Sequence, residues 1–308
     1  MSEVPNMSCA ADAPPRLLVG INLVTVMSPP AWSRAPQGDL AAMLAGVKAA
    51  GYEAVQGRDP EAARTAGLIP TAIGRLDRPA DARDQARRHR DAGDNALTLH
   101  VGTGFESDDE AARLVEAVVE ASCAENFPVY VETHRATITQ DMKRTLDLVA
   151  RVPEVRFNGD FSHWHTGQEM TYGDLDAKLE RLRPVTVRTR FLHGRVSSPG
   201  CIQIGVRDGT QEVHLDVFRR FWTRSFEGFL ASAKPGDVFG FYPELLPPSF
   251  HYARLVPGPD GQLREETDRW EEALALVEVA RTCWAQAEAT VAHPCESLGP
   301  DGRRDAGV

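Results

Sequence analysis

The sequence contains few cysteines and almost no lysine. Its 308 residues include 34 basic side chains, of which only four are lysines. The five cysteines form no CxxC pair and their number is odd, which argues against a disulfide framework or a thiolate zinc site and favours reduced cysteines. A Schiff-base aldolase needs a lysine at a strand end. All four lysines lie in or beside segments with helical spacing, so we exclude that class.

Long apolar runs and an excess of basic charge are also missing. No stretch of 18 apolar residues occurs, so no membrane helix is predicted. The first 16 residues lack the basic start and apolar centre of a secretory signal. The 44 acidic and 34 basic residues give a net charge of −10, which argues against a nucleic-acid groove. We therefore expect a cytoplasmic protein whose partners include neither membrane nor nucleic acid.

Three common sequence motifs are absent as well. The first predicted strand ends in NLVTVMSPP, with no GxGxxG or GxxxxGK[ST] loop to bind a nucleotide. The GxSxG element of serine hydrolases does not occur either.

Short Val/Ile/Leu-rich runs alternate with segments of helical spacing along the chain. Eight such pairs without a linker favour a closed (β/α)8 TIM barrel over the runner-up, a doubly wound open sheet. We expect this barrel to span 16–290 as one catalytic domain, between flexible tails at 1–15 and 291–308. The strands are predicted at 17–24, 52–56, 68–74, 96–101, 129–133, 155–159, 187–192 and 238–242. The helices are predicted at 39–50, 60–66, 81–92, 107–126, 139–151, 174–183, 214–233 and 269–288.

Side chains of the metal-ligating type end the last four predicted strands: Glu132, Asp160, His193 and Glu244. Adjacent barrel strands lie roughly 5 Å apart, so four neighbouring strand ends can converge. Three carboxylates and an imidazole are costly to bury together unless a cation neutralises them. Each residue taken alone has an ordinary structural explanation, such as a turn, a cap or a solvated loop. Together they predict a site for one divalent ion, with Mn²⁺ as the default and Mg²⁺, Co²⁺ or Zn²⁺ as alternatives.

This ordered set resembles the metal site of the xylose-isomerase-like TIM barrels, and most closely that of the sugar isomerase/epimerase group with its ketose 3-epimerases and inosose-processing relatives. Asp160-Phe161-Ser162-His163 is similar to the family motif D-x-x-H, in which Asp binds metal and His contacts substrate. His193-Gly194-Arg195 is similar to the region where a ligand His is followed by a substrate-contacting Arg. The fifth strand departs from the family, since it ends in ETHR rather than E-P-x-N.

The resemblance implies an isomerase or epimerase of carbohydrate metabolism that acts on a ketose or keto-sugar derivative through an enediolate. Glu132 and Glu244 would be both metal ligands and the catalytic acid/base pair, while Asp160 and His193 would be ligands only. Its partner would be a small sugar, and a homo-oligomer stays open because barrels of this type often pair. The residues expected to line the substrate pocket are His163, Arg195, His100 and His134.

Other functions stay open at this point. The same enediolate can lose a β-substituent, so a metal-dependent lyase or dehydratase of a keto-sugar, keto-glycoside or inosose is the main alternative. An endonuclease-IV-type nuclease would need a richer metal cluster and a basic DNA-facing surface, against which the net charge counts. A non-catalytic sugar-binding barrel is the remaining possibility.

Overall fold

The eight predicted strands form a closed parallel barrel, in which each strand pairs with the next and β8 pairs with β1. This computed structural model describes residues 3–9 and 11–293. The TIM barrel predicted from the sequence is confirmed. The strands are β1 Arg16–Asn22, β2 Ala54–Gln56, β3 Ile69–Leu76, β4 Leu97–Val101, β5 Val129–Glu132, β6 Phe157–Gly159, β7 Thr189–Gly194 and β8 Val238–Pro243.

Helices surround the barrel, and local sequence signals begin and end several of them. Asp39 accepts a hydrogen bond from the Ala42 N–H at the start of α1. Ser107 and Glu110 form a reciprocal capping box at the start of α4, which satisfies backbone donors that the first turn leaves open. The helices are α1 Leu40–Ala49, α2 Pro60–Thr65, α3 Ala82–Ala92, α4 Asp108–Glu125, α5 Met142–Arg151, α6 Ser162–Gly167, α7 Leu175–Arg181, α8 Arg183–Thr186, α9 Glu212–Leu230 and α10 Arg269–Ala292.

The connection after β6 differs from the single helix predicted at 174–183. Three short helices, α6, α7 and α8, stand there. Gly173 has φ +79° ahead of α7, a left-handed conformation that favours glycine. Pro184 stands in the first turn of α8, where its missing N–H ends the hydrogen-bond ladder of α7. Helix α6 begins after only two residues, Asp160 and Phe161, beyond the end of β6 and therefore sits at the C-terminal end of the barrel.

The N-terminal stretch was predicted to be a loose tail, but residues 3–9 pack under the barrel. Val4 and Met7 are buried. The Met7 N–H donates to Tyr130 Oη at 3.1 Å, and the Met7 carbonyl accepts from the Val238 N–H at 2.9 Å. Met7 thus belongs to the barrel core. The predicted tail at 291–308 lies almost wholly outside the described residues; Val291–His293 are exposed.

The loops after β7 and β8 close over the C-terminal end of the barrel. The Gln203 side chain donates to the Leu246 carbonyl at 3.1 Å and accepts from the Leu246 N–H at 2.8 Å, which joins the two loops. A small antiparallel hairpin, β9 Leu255–Pro257 with β10 Leu263–Glu265, extends the second loop. These two connections cover the strand ends where the predicted ligands stand.

No helix within residues 3–9 and 11–293 is both long and apolar enough to cross a membrane.

Candidate metal centre

The four residues predicted as ligands meet at the C-terminal end of the barrel. Glu132 is the last residue of β5, Asp160 and Glu244 directly follow β6 and β8, and His193 lies near the end of β7. Each offers one ligand atom, and these atoms all lie within 4.8 Å of one another. All four side chains are at least 92% buried. The structure therefore brings together the whole predicted set.

A close approach of backbone and side chains fixes the position of Asp160. A Cβ on the preceding Gly159 would lie 2.7 Å from the ring of Phe161 and 2.9 Å from Leu192. These contacts are too short for any larger residue without movement of its neighbours. The sequence NGDFS thus turns tightly from β6 into α6 and directs the Asp160 carboxylate into the centre.

The cluster concentrates negative charge in a buried place. Burial opposes ionisation of Glu132, but His100 and His193 outweigh it and hold the pKa of this carboxyl well below its usual range. Burial likewise opposes protonation of His193, but the carboxylates of Glu244 and Glu132 raise its pKa to about 9. Without a metal ion, the histidine proton is therefore the countercharge that the site itself retains.

Arg195 supplies a second positive charge inside the cluster. It is fully buried, and its Nη2 donates to Asp160 Oδ2 and, at 2.6 Å, to Glu244 Oε2. Against the effect of burial, this contact holds the pKa of Asp160 below its usual range. The guanidinium thus bridges two of the four candidate ligands, whereas its Nη1 has no hydrogen-bond partner.

A divalent ion fits this donor set. Three carboxylate oxygens and one imidazole nitrogen suit Mn²⁺, Mg²⁺ or Zn²⁺, and their mutual separations of 4.8 Å or less allow one ion to reach all four after small side-chain shifts. The cluster also holds three carboxylates against the single permanent charge of Arg195. A dication restores the balance that burial demands.

Amide side chains orient His193. The Gln56 Oε1 lies 2.8 Å from His193 Nε2, and the Asn158 Oδ1 accepts from the His193 N–H at 3.1 Å. Asn22 donates to both Gln56 Oε1 at 3.0 Å and Glu244 Oε1 at 2.7 Å. The sequence reasoning missed these three amides, although each ends or nearly ends a barrel strand. Such second contacts normally set the ring orientation of a ligating histidine.

Three further histidines form a stack beside the cluster. The ring centroids of His100 and His134 lie 4.3 Å apart, and those of His134 and His163 lie 4.0 Å apart. His100 Nε2 is 3.2 Å from Glu132 Oε1, and His163 Nε2 is 3.4 Å from Asp160 Oδ2. The residues expected at the substrate pocket therefore border the candidate ligands, and both ring nitrogens of His163 lack a hydrogen-bond partner.

His100, Glu132 and His134 make a second ligand-type group whose atoms lie within 4.8 Å. His134 Nδ1 accepts from the Ala136 N–H at 3.2 Å, so the proton of the neutral ring is on Nε2. Burial and the neighbouring His163 lower the pKa of His134 to about 2. With Nδ1 accepting a hydrogen bond and Nε2 carrying the proton, the His134 ring offers no free lone pair to a metal ion. The first group is therefore the better candidate for the metal site.

Tyr252, in the loop after β8, covers the cluster and was not foreseen from the sequence. The guanidinium carbons of Arg135 and Arg195 each lie 4.8 Å from the centre of its ring. Its Oη is 3.4 Å from His134 Nε2. The ring therefore packs between two cations and stands above the histidine stack, where cation–π attraction holds it.

A chain of hydrogen bonds supports the cluster from behind. Ser162 Oγ contacts Asp160 Oδ1 and accepts from Arg195 Nε at 3.1 Å. Ser197 Oγ donates to the Ser162 carbonyl at 3.0 Å and therefore accepts from His165 Nδ1 at 3.1 Å. A carbonyl can only accept, so His165 and Ser197 both donate in the direction of the Ser162 carbonyl. The series therefore positions Ser162 and does not carry protons.

Neither a protein-family model nor a curated protein sequence matches the chain. Solved structures do match. A D-allulose 3-epimerase from Methylomonas sp. in complex with D-allulose has a TM-score of 0.53 at 15% identity, over 89% of this chain and 99% of that one. D-Psicose 3-epimerase with D-tagatose from Clostridium cellulolyticum H10 has a TM-score of 0.50 at 14% identity, over 87% and 99%.

A third match is a xylose isomerase-like TIM barrel protein from Mycobacterium smegmatis in complex with magnesium, with a TM-score of 0.51 at 11% identity over 87% of this chain and 97% of that one. At these identities the matches establish the fold. The resemblance to xylose-isomerase-like barrels, first suggested by the strand-end residues, is confirmed at that level.

Proposed function

We propose that this barrel of the xylose-isomerase-like fold is a divalent-metal-dependent isomerase or epimerase of a ketose or keto-sugar derivative. The observation that carries the proposal is the position of two glutamates around one histidine. Glu132 Oε1 and Glu244 Oε2 lie 3.4 and 3.5 Å from His193 Nδ1. Their strands, β5 and β8, are separated in the barrel by β6 and β7, so the two carboxylates reach the centre from two directions.

Glu132, Asp160, His193 and Glu244 would hold the ion, with Mn²⁺ as the default. When bound, a divalent ion polarises a substrate carbonyl and stabilises negative charge on its oxygens, a contribution of several kcal/mol. The mixed oxygen and nitrogen set supports Mn²⁺ and equally admits Mg²⁺, Co²⁺ or Zn²⁺.

Glu132 and Glu244 would exchange protons with the substrate carbon next to the carbonyl, one as base and the other as acid. Positioned groups of this kind each contribute about 10²–10⁴ in rate. The place where the proton returns decides the product. Return to the opposite face of the same carbon gives an epimer, and return to the neighbouring carbon gives an isomer.

Unpartnered donors border the same place and would hold the sugar. The ring nitrogens of His163 and the Nη1 of Arg195 are buried without hydrogen-bond partners, a costly state unless a ligand satisfies them. His100 and His134 extend this edge toward Tyr252. A neutral imidazole has one donor and one acceptor nitrogen, so sugar hydroxyl groups, which can donate and accept, match His163, and sugar oxygens match the Arg195 donor.

The decisive experiment is proton exchange with solvent. The chelator-treated protein, with and without added Mn²⁺, is incubated in D₂O with D-allulose, D-tagatose and a panel of keto-sugars. We expect deuterium next to the carbonyl only when metal is present, and H193A should retain less metal than the wild type.

The other outcomes separate the alternatives. Sugar binding without deuterium exchange would indicate a non-catalytic barrel, and exchange in fully metal-free protein would overturn the mechanism. An enone absorbance or a released aglycone would indicate the lyase, which begins with the same proton abstraction.

A further inference from the structure

A second cavity, of about 840 Å³, opens at the N-terminal end of the barrel, on the far side from the candidate metal centre. We call it the arginine groove. It lies where β6 and β7 begin and where α9 and α10 end. Five arginines line it: Arg156, Arg183, Arg188, Arg190 and Arg224.

Arg190 is the deepest of these cations, with 4% of its surface exposed. Its guanidinium donates to the carbonyls of Val187 and Thr189, both at 2.9 Å, and to Asn6 Oδ1 at 3.0 Å. Its remaining partner is Ser232 Oγ at 3.1 Å. All four hydrogen-bond partners are neutral, and Arg190 makes no ion pair within residues 3–9 and 11–293. The more distant carboxylates of Glu3 and Asp237 act on it, but part of its buried charge stays uncompensated.

Arg188 and Arg156 add to the same uncompensated charge. Arg188 donates to the carbonyls of Pro153 at 2.8 Å and Pro184 at 2.9 Å. Arg156 has one carboxylate neighbour, Glu3 at 3.5 Å, and its buried Nε has no partner. The hydrogen bonds to backbone carbonyls explain why arginines are found at this place. Carbonyls carry no net charge, so these bonds do not neutralise the guanidinium groups.

The acidic residues of the groove do not balance the arginines. Two glutamates line it. Glu180 lies 3.7 Å from Arg224, and Glu227 makes no ion pair among residues 3–9 and 11–293. Arg183, which is exposed, likewise has no ion-pair partner in this part of the chain. Asp176 lies 3.8 Å from Arg224 and Glu154 acts on Arg188 from outside the groove. The residues that line the groove itself carry five positive charges against two negative ones.

The titration behaviour of the arginines agrees with this geometry. Burial, and next the charge of Arg156, lower the pKa of Arg190 to about 10. The same two causes lower the pKa of Arg188. The guanidinium of Arg156 therefore repels those of Arg188 and Arg190, and the carboxylates of Glu154, Glu3 and Asp237 offset the lowering only in part.

We propose that the arginine groove binds a small multiply charged anion of the phosphate class, such as the phosphate end of a phosphorylated metabolite. Its volume lies within the ordinary range of small-molecule sites, about 300–1,000 Å³. Guanidinium groups match phosphate oxygens in pairs and tolerate partial burial. The groove is separate from the candidate metal centre, so its anion binding can be tested independently of the proposed sugar chemistry.

The test is calorimetric titration of the full-length, chelator-treated protein with pyrophosphate and with inorganic phosphate at constant ionic strength. We expect saturable binding to the wild type. R183Q/R188Q should bind pyrophosphate at least tenfold more weakly. The control R88Q/R113Q removes the same charge from the exposed faces of α3 and α4 and should bind as the wild type does.

Melting temperatures show whether each variant is folded, and R183Q/R224Q replaces R183Q/R188Q if the latter is not. The proposal is overturned if wild type shows no saturable binding. It is equally overturned if the groove variant and the control lose affinity together, because general charge attraction would then explain the binding.

Discussion

Arg195 Nη2 lies 2.6 Å from Glu244 Oε2 while it also donates to Asp160. One guanidinium thus holds oxygens that a metal ion in this cluster would also need. A bound ion would have to share these two oxygens with Arg195 or displace it, and the unpartnered Nη1 leaves the guanidinium free to make another contact. Metal and arginine are therefore coupled by the carboxylates they share.

Replacement of Arg195 by Gln should tighten Mn²⁺ binding while it lowers turnover. The substitution removes a competing cation from two ligands, and we expect about a tenfold lower Kd, or about 1.4 kcal/mol. Calorimetric titration with Mn²⁺ measures the affinity, and R113Q on α4 is the control. Weaker Mn²⁺ binding by R195Q would show that the arginine supports the ion.

Replacement of Glu132 or Glu244 by Gln should each reduce turnover by about 10²–10⁴. The amide keeps the shape of the side chain but cannot exchange a proton. Bound metal is measured alongside, because each variant also loses a charged ligand. A variant that keeps both its metal and near-normal activity would remove that glutamate from the acid/base role.

Tyr252 offers a test of its ring against its hydroxyl. Y252F keeps the ring that packs on Arg195 at 4.8 Å and loses only the 3.4 Å contact of the hydroxyl with His134. Its KM should stay within about twofold to threefold of the wild-type KM, because only one long hydrogen bond is lost. Y252A uncovers the cluster and should raise KM by about tenfold or more, since cation–π packing contributes up to about 2 kcal/mol in desolvated sites. If both variants keep the wild-type KM, Tyr252 lies outside the substrate pocket.

The stability of the protein should fall between pH 7 and pH 5, in part because of His165. Burial, then His214, lower the pKa of this ring to about 4, below its value in the unfolded chain, about 6.5. As the pH falls through 6.5, His165 binds a proton in the unfolded state but stays neutral in the folded state. The free energy of unfolding therefore decreases until the pH reaches about 4.

H165Q removes this titration and keeps a polar side chain beside Ser197 and Thr171. Between pH 7 and pH 5 it should lose about 1–2 kcal/mol less of its unfolding free energy than wild type. Urea unfolding at each pH provides the measurement, with H251Q at an exposed histidine as control. Parallel curves for H165Q and wild type would contradict the assignment.

The strands and the four candidate ligands were predictable because both follow one rule. In a parallel barrel every strand ends at the same rim, so Glu132 and Glu244 must face one region even though 112 positions separate them in the sequence. Asn22 and Gln56 obey the same rule at the ends of β1 and β2. They were missed because only charged and imidazole groups were sought there.

Other features had no periodic signal to find. Tyr252 reaches the cluster through a loop whose path depends on contacts such as that of Gln203 with Leu246. Met7 looked like part of a tail because its neighbours are small or polar. Its burial depends on Tyr130, a contact 123 residues away that no local pattern encodes. The clustering of the four candidate ligands was thus foreseen, but the cover of the cluster and the packing beneath the barrel were not.

The bond from Asn22 to Glu244 joins the first strand to the end of the last, across 222 residues. A growing chain leaves the ribosome with its N-terminal part first, so Asn22 is exposed long before its acceptor exists. Until β8 docks beside β1, Glu244, one of the three carboxylates of the cluster, lacks its hydrogen-bond partner on the first strand. A chain that lacks β8 has an incomplete candidate site, so we expect metal binding to require translation of the final strand.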